Sequence, residues 1–120
     1  MHPISNSQAA FTGKFSANTL SKFQTNLSDK DFKLVKNFRA GKRYTNIDII
    51  TVNKEPVRLS TGTVVCGKET YADFSSAKVK KGPHARIKLS DRALPFSIDT
   101  FKLITADLVK RGEKLMEMFR

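Results

Sequence analysis

Residues 78–92 read Lys-Val-Lys-Lys-Gly-Pro-His-Ala-Arg-Ile-Lys-Leu-Ser-Asp-Arg. Ala85, Ile87 and Leu89 fall on one parity, and His84, Arg86, Lys88 and Ser90 on the other. A period of two predicts a strand over 84–90 with one buried face and one solvent face. The solvent face is mostly cationic. Upstream, Lys78 and Lys80 flank Val79 in the same way. Lys81-Gly82-Pro83 reads as a turn, because Gly permits positive φ and Pro cannot donate to a ladder. The expectation is a hairpin whose outer face is a cationic plate. Whether Lys78 and Lys80 share that face with Arg86 and Lys88 depends on the register.

The flanking stretches supply partners for this strand. Tyr44 to Val52 is β-rich, and its doubled Ile49-Ile50 predicts a bulge or a strand buried on both faces. Short strands follow at 57–59 and 63–66, then a weaker one at 70–79 anchored by Tyr71 and Phe74, with turns between them. Downstream of Arg92, Ser97 is placed as an N-cap, Asp99 lies in the first turn, and Phe96 and Phe101 have the spacing of a hydrophobic staple. Phe101, Ile104, Leu108, Leu115 and Met118 then trace the apolar stripe of one long helix, with a kink or a break expected at Gly112. Its apolar end (Leu115, Met116, Met118, Phe119) suits core packing or homodimerisation.

Before the strands, Leu20, Phe23 and Leu27 suit a short helix. Ser28-Asp29-Lys30-Asp31 is a capping signal for a second helix over about 29–39. Residues 1–19 are polar and small and read as a flexible arm, leaving 20–120 as a single domain. Such Ser/Asn/Gln-rich starts also resemble, in composition, the leaders of bacterial type III secreted effectors. The predicted fold class is α+β: an antiparallel sheet of four to five strands, with short N-terminal helices and a long C-terminal helix packed on one face.

Charge narrows the function. Twenty-two Lys and Arg face eleven Asp and Glu, for a net charge of +11. The excess is spread along the chain: ten basic against four acidic residues in 1–60, and twelve against seven in 61–120. A distributed positive field suits phosphate backbones or an acidic protein partner. A chain of 120 residues buries roughly two-thirds of its unfolded surface, enough for one modest core. One cysteine, Cys66, excludes an internal disulfide framework, and beside Val64 and Val65 it reads as a small core residue. One Cys and two His argue against zinc, and no metal or cofactor is expected. No secretory signal and no membrane span is read, so a cytoplasmic setting is expected.

Among known chemical motifs, no P-loop, GxGxxG, HExxH, CxxC or GxSxG occurs. Between 33 and 43 the order Lys33-x-x-Lys36-x-x-Arg39-x-x-Lys42-Arg43 places five cations in eleven residues. Phe32, Phe38 and Tyr44 are interleaved, fit either to stack on bases or to enter the core. The enzyme reading is a small metal-independent ribonuclease. His84 would act as base or acid, Arg86 and Lys88 would face the phosphate, and Tyr71 or Asp73 would cross from the neighbouring strand. Asp91 and Asp99 show no metal-nuclease spacing.

In outline, several strands followed by one helix, with His84-Ala-Arg-Ile-Lys-Leu-Ser90 leading into it, resemble the ββββα modules of the PC4 and Pur families over about residues 44–119. That resemblance implies binding of single-stranded nucleic acid on a sheet and dimerisation through the helix. The function read from the sequence is nucleic-acid binding with low sequence specificity. Lys33, Lys36, Arg39, Lys42, Arg43, Lys78, Lys80, Lys81, Arg86, Lys88 and Arg92 would hold phosphates, with Tyr44, Tyr71 and His84 beside them. The alternative is a phage or pathogen effector that docks on an acidic host protein.

Overall fold

The computed structural model describes residues 12–79 and 81–118. In chain order the elements are β1 (Lys14–Phe15), α1 (Ala17–Asn26), α2 (Asp29–Asn37), β2 (Thr45–Asn53), β3 (Val57–Arg58), β4 (Val64–Val65), β5 (Lys68–Ser76), β6 (His84–Ser90), α3 (Ile98–Lys102) and α4 (Ala106–Met118). The alternation at 84–90 gives β6 with the expected bounds. It pairs antiparallel with β5, and β5 with β2. At the other edge β1 runs parallel to β2, so the four-stranded sheet has the order β1-β2-β5-β6 and is mixed rather than purely antiparallel. The cause is the connection: the chain leaves β1 through two helices before it returns as β2, and such a crossover brings a strand back in the same direction.

The register sorts the two faces. Ile47, Phe74 and Ala85 form one inward row, and Ile49, Ala72 and Ile87 the next; all six are buried. The α+β packing follows, because every apolar helix face must cover these rows. Beside β2, five phenylalanines close the core. Phe15 meets Phe23, Phe38 and Phe101 with ring centroids 5.6, 5.4 and 6.0 Å apart, and Phe23 meets Phe96 edge-on at 5.2 Å. Phe38 and Phe32 are thus core-facing rings rather than base-stacking ones.

Several expectations are corrected. Lys14 to Thr19, read as part of a loose arm, enter β1 and α1, and Phe15 is fully buried. Residues 1–11 lie outside the described residues. Ile49-Ile50 makes no bulge: Ile49 faces the core and Ile50 the half-covered outer side, while the irregularity falls at Thr70/Tyr71. The C-terminal helix is two helices. Ser97 caps α3 as expected, accepting from the Thr100 amide, but the chain breaks at Leu103–Thr105 and Thr105 caps α4 through the Leu108 amide. Gly112 lies inside α4, which continues past it to Met118. Of the apolar end, Met116 is buried and Leu115 packs on the core; among the described residues that leaves Met118 exposed. Cys66 is exposed: β3 and β4 pair with each other, and among the described residues no second layer covers the ribbon.

Candidate nucleic-acid interface

On the outer face of the sheet three rows cross β2, β5 and β6: Asn46–Ser75–His84, Asp48–Asp73–Arg86 and Ile50–Tyr71–Lys88. The cations all stand on the edge strand, and the central strand answers them with carboxylates. Asp73 lies 3.5 Å from Arg86 Nε and 3.7 Å from His84 Nδ1. Lys88 Nζ donates to Glu69 at 2.8 Å and to Asp91 at 2.6 Å. The cationic plate expected from β6 alone is therefore an ion-pair lattice. The alternation along one strand says nothing of the acids that its neighbour brings alongside.

Lys88 shifts its partners in a direction that can be tested. Its hydrogen bonds hold the Glu69 and Asp91 carboxyls below the usual carboxylate range, and theirs raise Lys88 above the usual lysine range, Asp91 first. For the two acids, the folded pKa lies below the unfolded one. The stability they contribute is present above about pH 4.5 and is lost as the pH falls through their folded values. Lys88→Met is expected to lower the melting temperature at pH 7 by a few degrees and to make no difference near pH 2. Thermal melts from pH 2 to 7 check this; an equal loss at both pH values would sink the assignment.

Uncompensated charge collects elsewhere, at the end of the sheet where β2 begins and β5 ends. Three cavities lie along it. One of about 300 Å³ is lined by Lys14, Lys36 and Arg39. A second of about 460 Å³ is lined by Lys42, Arg43, Lys110 and Lys114. A third of about 310 Å³ shares Arg43 and contains Tyr44 and Lys78. Two carboxylates border this band. Glu117 pairs with Arg43. Glu113 turns inward: it accepts from the amides of Lys42 and Arg43 at 3.2 and 3.1 Å and from the Thr45 hydroxyl at 2.9 Å. Among the described residues, Lys14, Lys36, Arg39, Lys42, Lys78, Lys110 and Lys114 have no carboxylate within 4.0 Å.

Local structure explains the placement. Asn37 ends α2, and Arg39 folds back so that its guanidinium donates to the carbonyls of Lys36 (3.0 Å) and Phe38 (2.7 Å). Gly13 bridges Ala40 with backbone bonds of 2.8 and 3.0 Å, pinning the loop against β1. Gly41, at φ 75°, then turns the chain around the Glu113 carboxylate. Of the residues singled out from sequence, Lys36, Arg39, Lys42, Arg43, Tyr44 and Lys78 come together here. Lys78 lies beyond β5 with its Nζ 3.8 Å from the Tyr44 ring centroid, away from the Arg86 face. Tyr71 is half-buried and its hydroxyl donates to Glu69 at 3.3 Å. Lys33, Lys81 and Arg92 are exposed outside the band, and Lys80 lies outside the described residues. Sequence reading missed Lys14, Lys110 and Lys114. The last two lie on one face of α4 at i and i+4, which was visible; that they flank residues 42–43 was not.

No family model matches the chain, and no curated protein or solved structure matches it either.

Proposed function

We propose that this protein binds the phosphate backbone of nucleic acid through the band formed by Lys14, Lys36, Arg39, Lys42, Arg43, Lys78, Lys110 and Lys114. The observation that supports this reading is the gathering of eight cations from five parts of the chain, with one carboxylate turned inward and the other paired to Arg43. Cations left without acid partners release counterions when phosphates replace those ions, and this drives binding that reads no sequence. Tyr44 is 53% exposed with Lys78 over its ring; an unpaired base that stacks there displaces the ammonium toward its own phosphate, which favours single strands. Lys88 contributes little to affinity, since Glu69 and Asp91 hold its ammonium, and Arg86 adds at most about one phosphate contact, through the guanidinium nitrogens that Asp73 leaves free.

The test is fluorescence anisotropy of labelled single- and double-stranded oligonucleotides at several salt concentrations. For single strands, log K against log salt slopes at about −0.7 per phosphate neutralised. The variant Lys36→Ala/Arg39→Ala/Lys42→Ala/Lys114→Ala is expected to flatten that slope by about 2–3 units, and Arg86→Ala/Lys88→Ala by less than about 1. Equal effects of the two variants would remove the band from the interface.

A second reading, an effector that docks on an acidic protein, draws on the ribbon. Val57, Leu59, Val64 and Val65 are 43–57% exposed there, beside Arg58. A protein surface with an apolar centre and an acidic rim would cover both. Absence of oligonucleotide binding at low salt would favour it.

A further inference from the structure

On the outer sheet face, Asp73 sits between two groups. Its Oδ2 faces His84 Nδ1 at 3.7 Å and its Oδ1 faces Arg86 Nε at 3.5 Å. The carboxylate side chain is 14% exposed, whereas the imidazole and guanidinium are 57% and 54% exposed. Oδ1 is closed off from solvent and has no hydrogen-bond partner among the described residues. A buried acceptor left short of a bond is costly, so it calls for an explanation. The arrangement is that of an orienting carboxylate with two exposed working groups. Asp73 stands beside Nδ1 at ion-pair distance, which leaves Nε2, on the far side of the ring, without a partner among the described residues. Asp73 Oδ1 lies beside Nε of the guanidinium without a hydrogen bond to it, and the two terminal NH2 groups are left for a phosphate fork.

The site is near the phosphate band in the chain but on the other face of the sheet: Ser75 and His84 face outward, whereas Thr45 and Ser76 face α4. His84 follows Pro83 and pairs with Ser75, while Pro83 and Ser76 line the cavity that holds Tyr44 and Lys78. Pro83 is the link: a strand reaching His84 from that cavity has to pass around the sheet edge there.

We propose that His84, Arg86 and Asp73 form a metal-independent RNA-cleaving site that acts on a phosphodiester with a neighbouring 2′-hydroxyl. Substrate delivery rests on the band reading; the chemistry does not. Neutral His84 takes the 2′-hydroxyl proton on Nε2, and O2′ attacks phosphorus. The P–O5′ bond breaks, and O5′ takes a proton from water. The imidazolium returns its proton to solvent. The products are a 2′,3′-cyclic phosphate and a 5′-hydroxyl, with no net consumption of water and no change of oxidation state. Arg86 holds the non-bridging oxygens as charge builds on them. Asp73 is a positioning residue. Lys88 has no part, because Glu69 and Asp91 hold its ammonium.

The experiment incubates the full chain, in a chelator, with a labelled single-stranded RNA and with the all-2′-deoxy strand of the same sequence. Binding of the deoxy strand is followed by anisotropy. The expected result is RNA shortened to fragments ending in 2′,3′-cyclic phosphate, with the deoxy strand bound and intact. His84→Ala should slow cleavage by at least about 100-fold while deoxy-strand affinity stays within about twofold. Asp73→Asn should lower kcat by at least about tenfold at unchanged KM and melting temperature, and Asp73→Glu should recover part of it. RNA bound but intact, or cleaved equally by His84→Ala, overturns the site and leaves the band standing. RNA cleaved while the band variant binds as tightly as the parent overturns the band and leaves the site. RNA neither bound nor cut overturns both.

Discussion

Replacing Glu113 with Ala is expected to lower stability by about 3 kcal/mol and to weaken polyanion binding as well. The carboxylate is 8% exposed and accepts three hydrogen bonds, two of them from the backbone amides of Lys42 and Arg43. Bonds to a charged acceptor contribute about 1.5–3 kcal/mol each, and removal strands the donors in a place water reaches poorly. The loss is also local. Among the described residues the two amides have no other acceptor; the Arg43 carbonyl stays bonded to Thr12 and Thr45, so the turn loosens chiefly at Lys42 and the cation it carries loses its fixed place. Glu113→Gln separates hydrogen bonding from charge. Its amide oxygen can serve Arg43 and Thr45, but its NH2 meets the Lys42 amide donor to donor. Roughly a third of the stability loss is expected for Gln. Urea unfolding gives the order: parent above Gln above Ala. An Ala variant within about 0.5 kcal/mol of the parent would show that the turn is held by other means.

Gly112→Ala should destabilise by about 2 kcal/mol, against the usual sign for a helical glycine. Two effects compete. Inside α4, alanine gains about 1 kcal/mol in helix propensity. A Cβ at this position, however, would lie 2.5–2.6 Å from three ring carbons of Phe74. Contact distance is nearer 3.5–4.0 Å, so helix and sheet must part by about 1 Å or the ring must move. Phe74 is fully buried in the middle strand, between Ile47 and Ala85, and has nowhere to go. Overpacking of this kind costs about 1–3 kcal/mol, and Gly112→Val, which adds branched bulk and loses propensity, should exceed the Ala loss. Denaturant midpoints measure both. A gain of about 1 kcal/mol for Ala would mean that α4 sits further from β5 than described.

The same glycine shows what a sequence can and cannot reveal. Read along the chain, Gly112 in an apolar stripe looks like a weak point, and a kink or a break was expected there. Across the fold it is where α4 lies directly against the Phe74 ring of the sheet. The true break, at 103–105, carried its own local signal in Thr105 with Asp107 in the following turn, but the apolar spacing ran through it unbroken. Cys66 was misread for a related reason. Val64, Val65 and Cys66 look like a core strand by composition, but among the described residues nothing packs over them and they stay exposed.

Local features were legible because their physics is local. The bounds of β6 and the serine caps at 28 and 97 depend on backbone sterics and on bonds that span a few residues. The net charge was legible because charges simply add. What the tertiary structure decided is where that charge is left free. Alternation placed His84, Arg86 and Lys88 on one face, but the register set Asp73 and Glu69 against them, through pairs separated by 11, 13 and 19 positions. Conversely, Lys14, Lys42 and Lys114 share no local pattern. They form one band because β1, the Gly41 turn and α4 converge on Glu113 and Ala40. Electrostatic energy depends on distance in space, and a linear chain reports distance only between near neighbours.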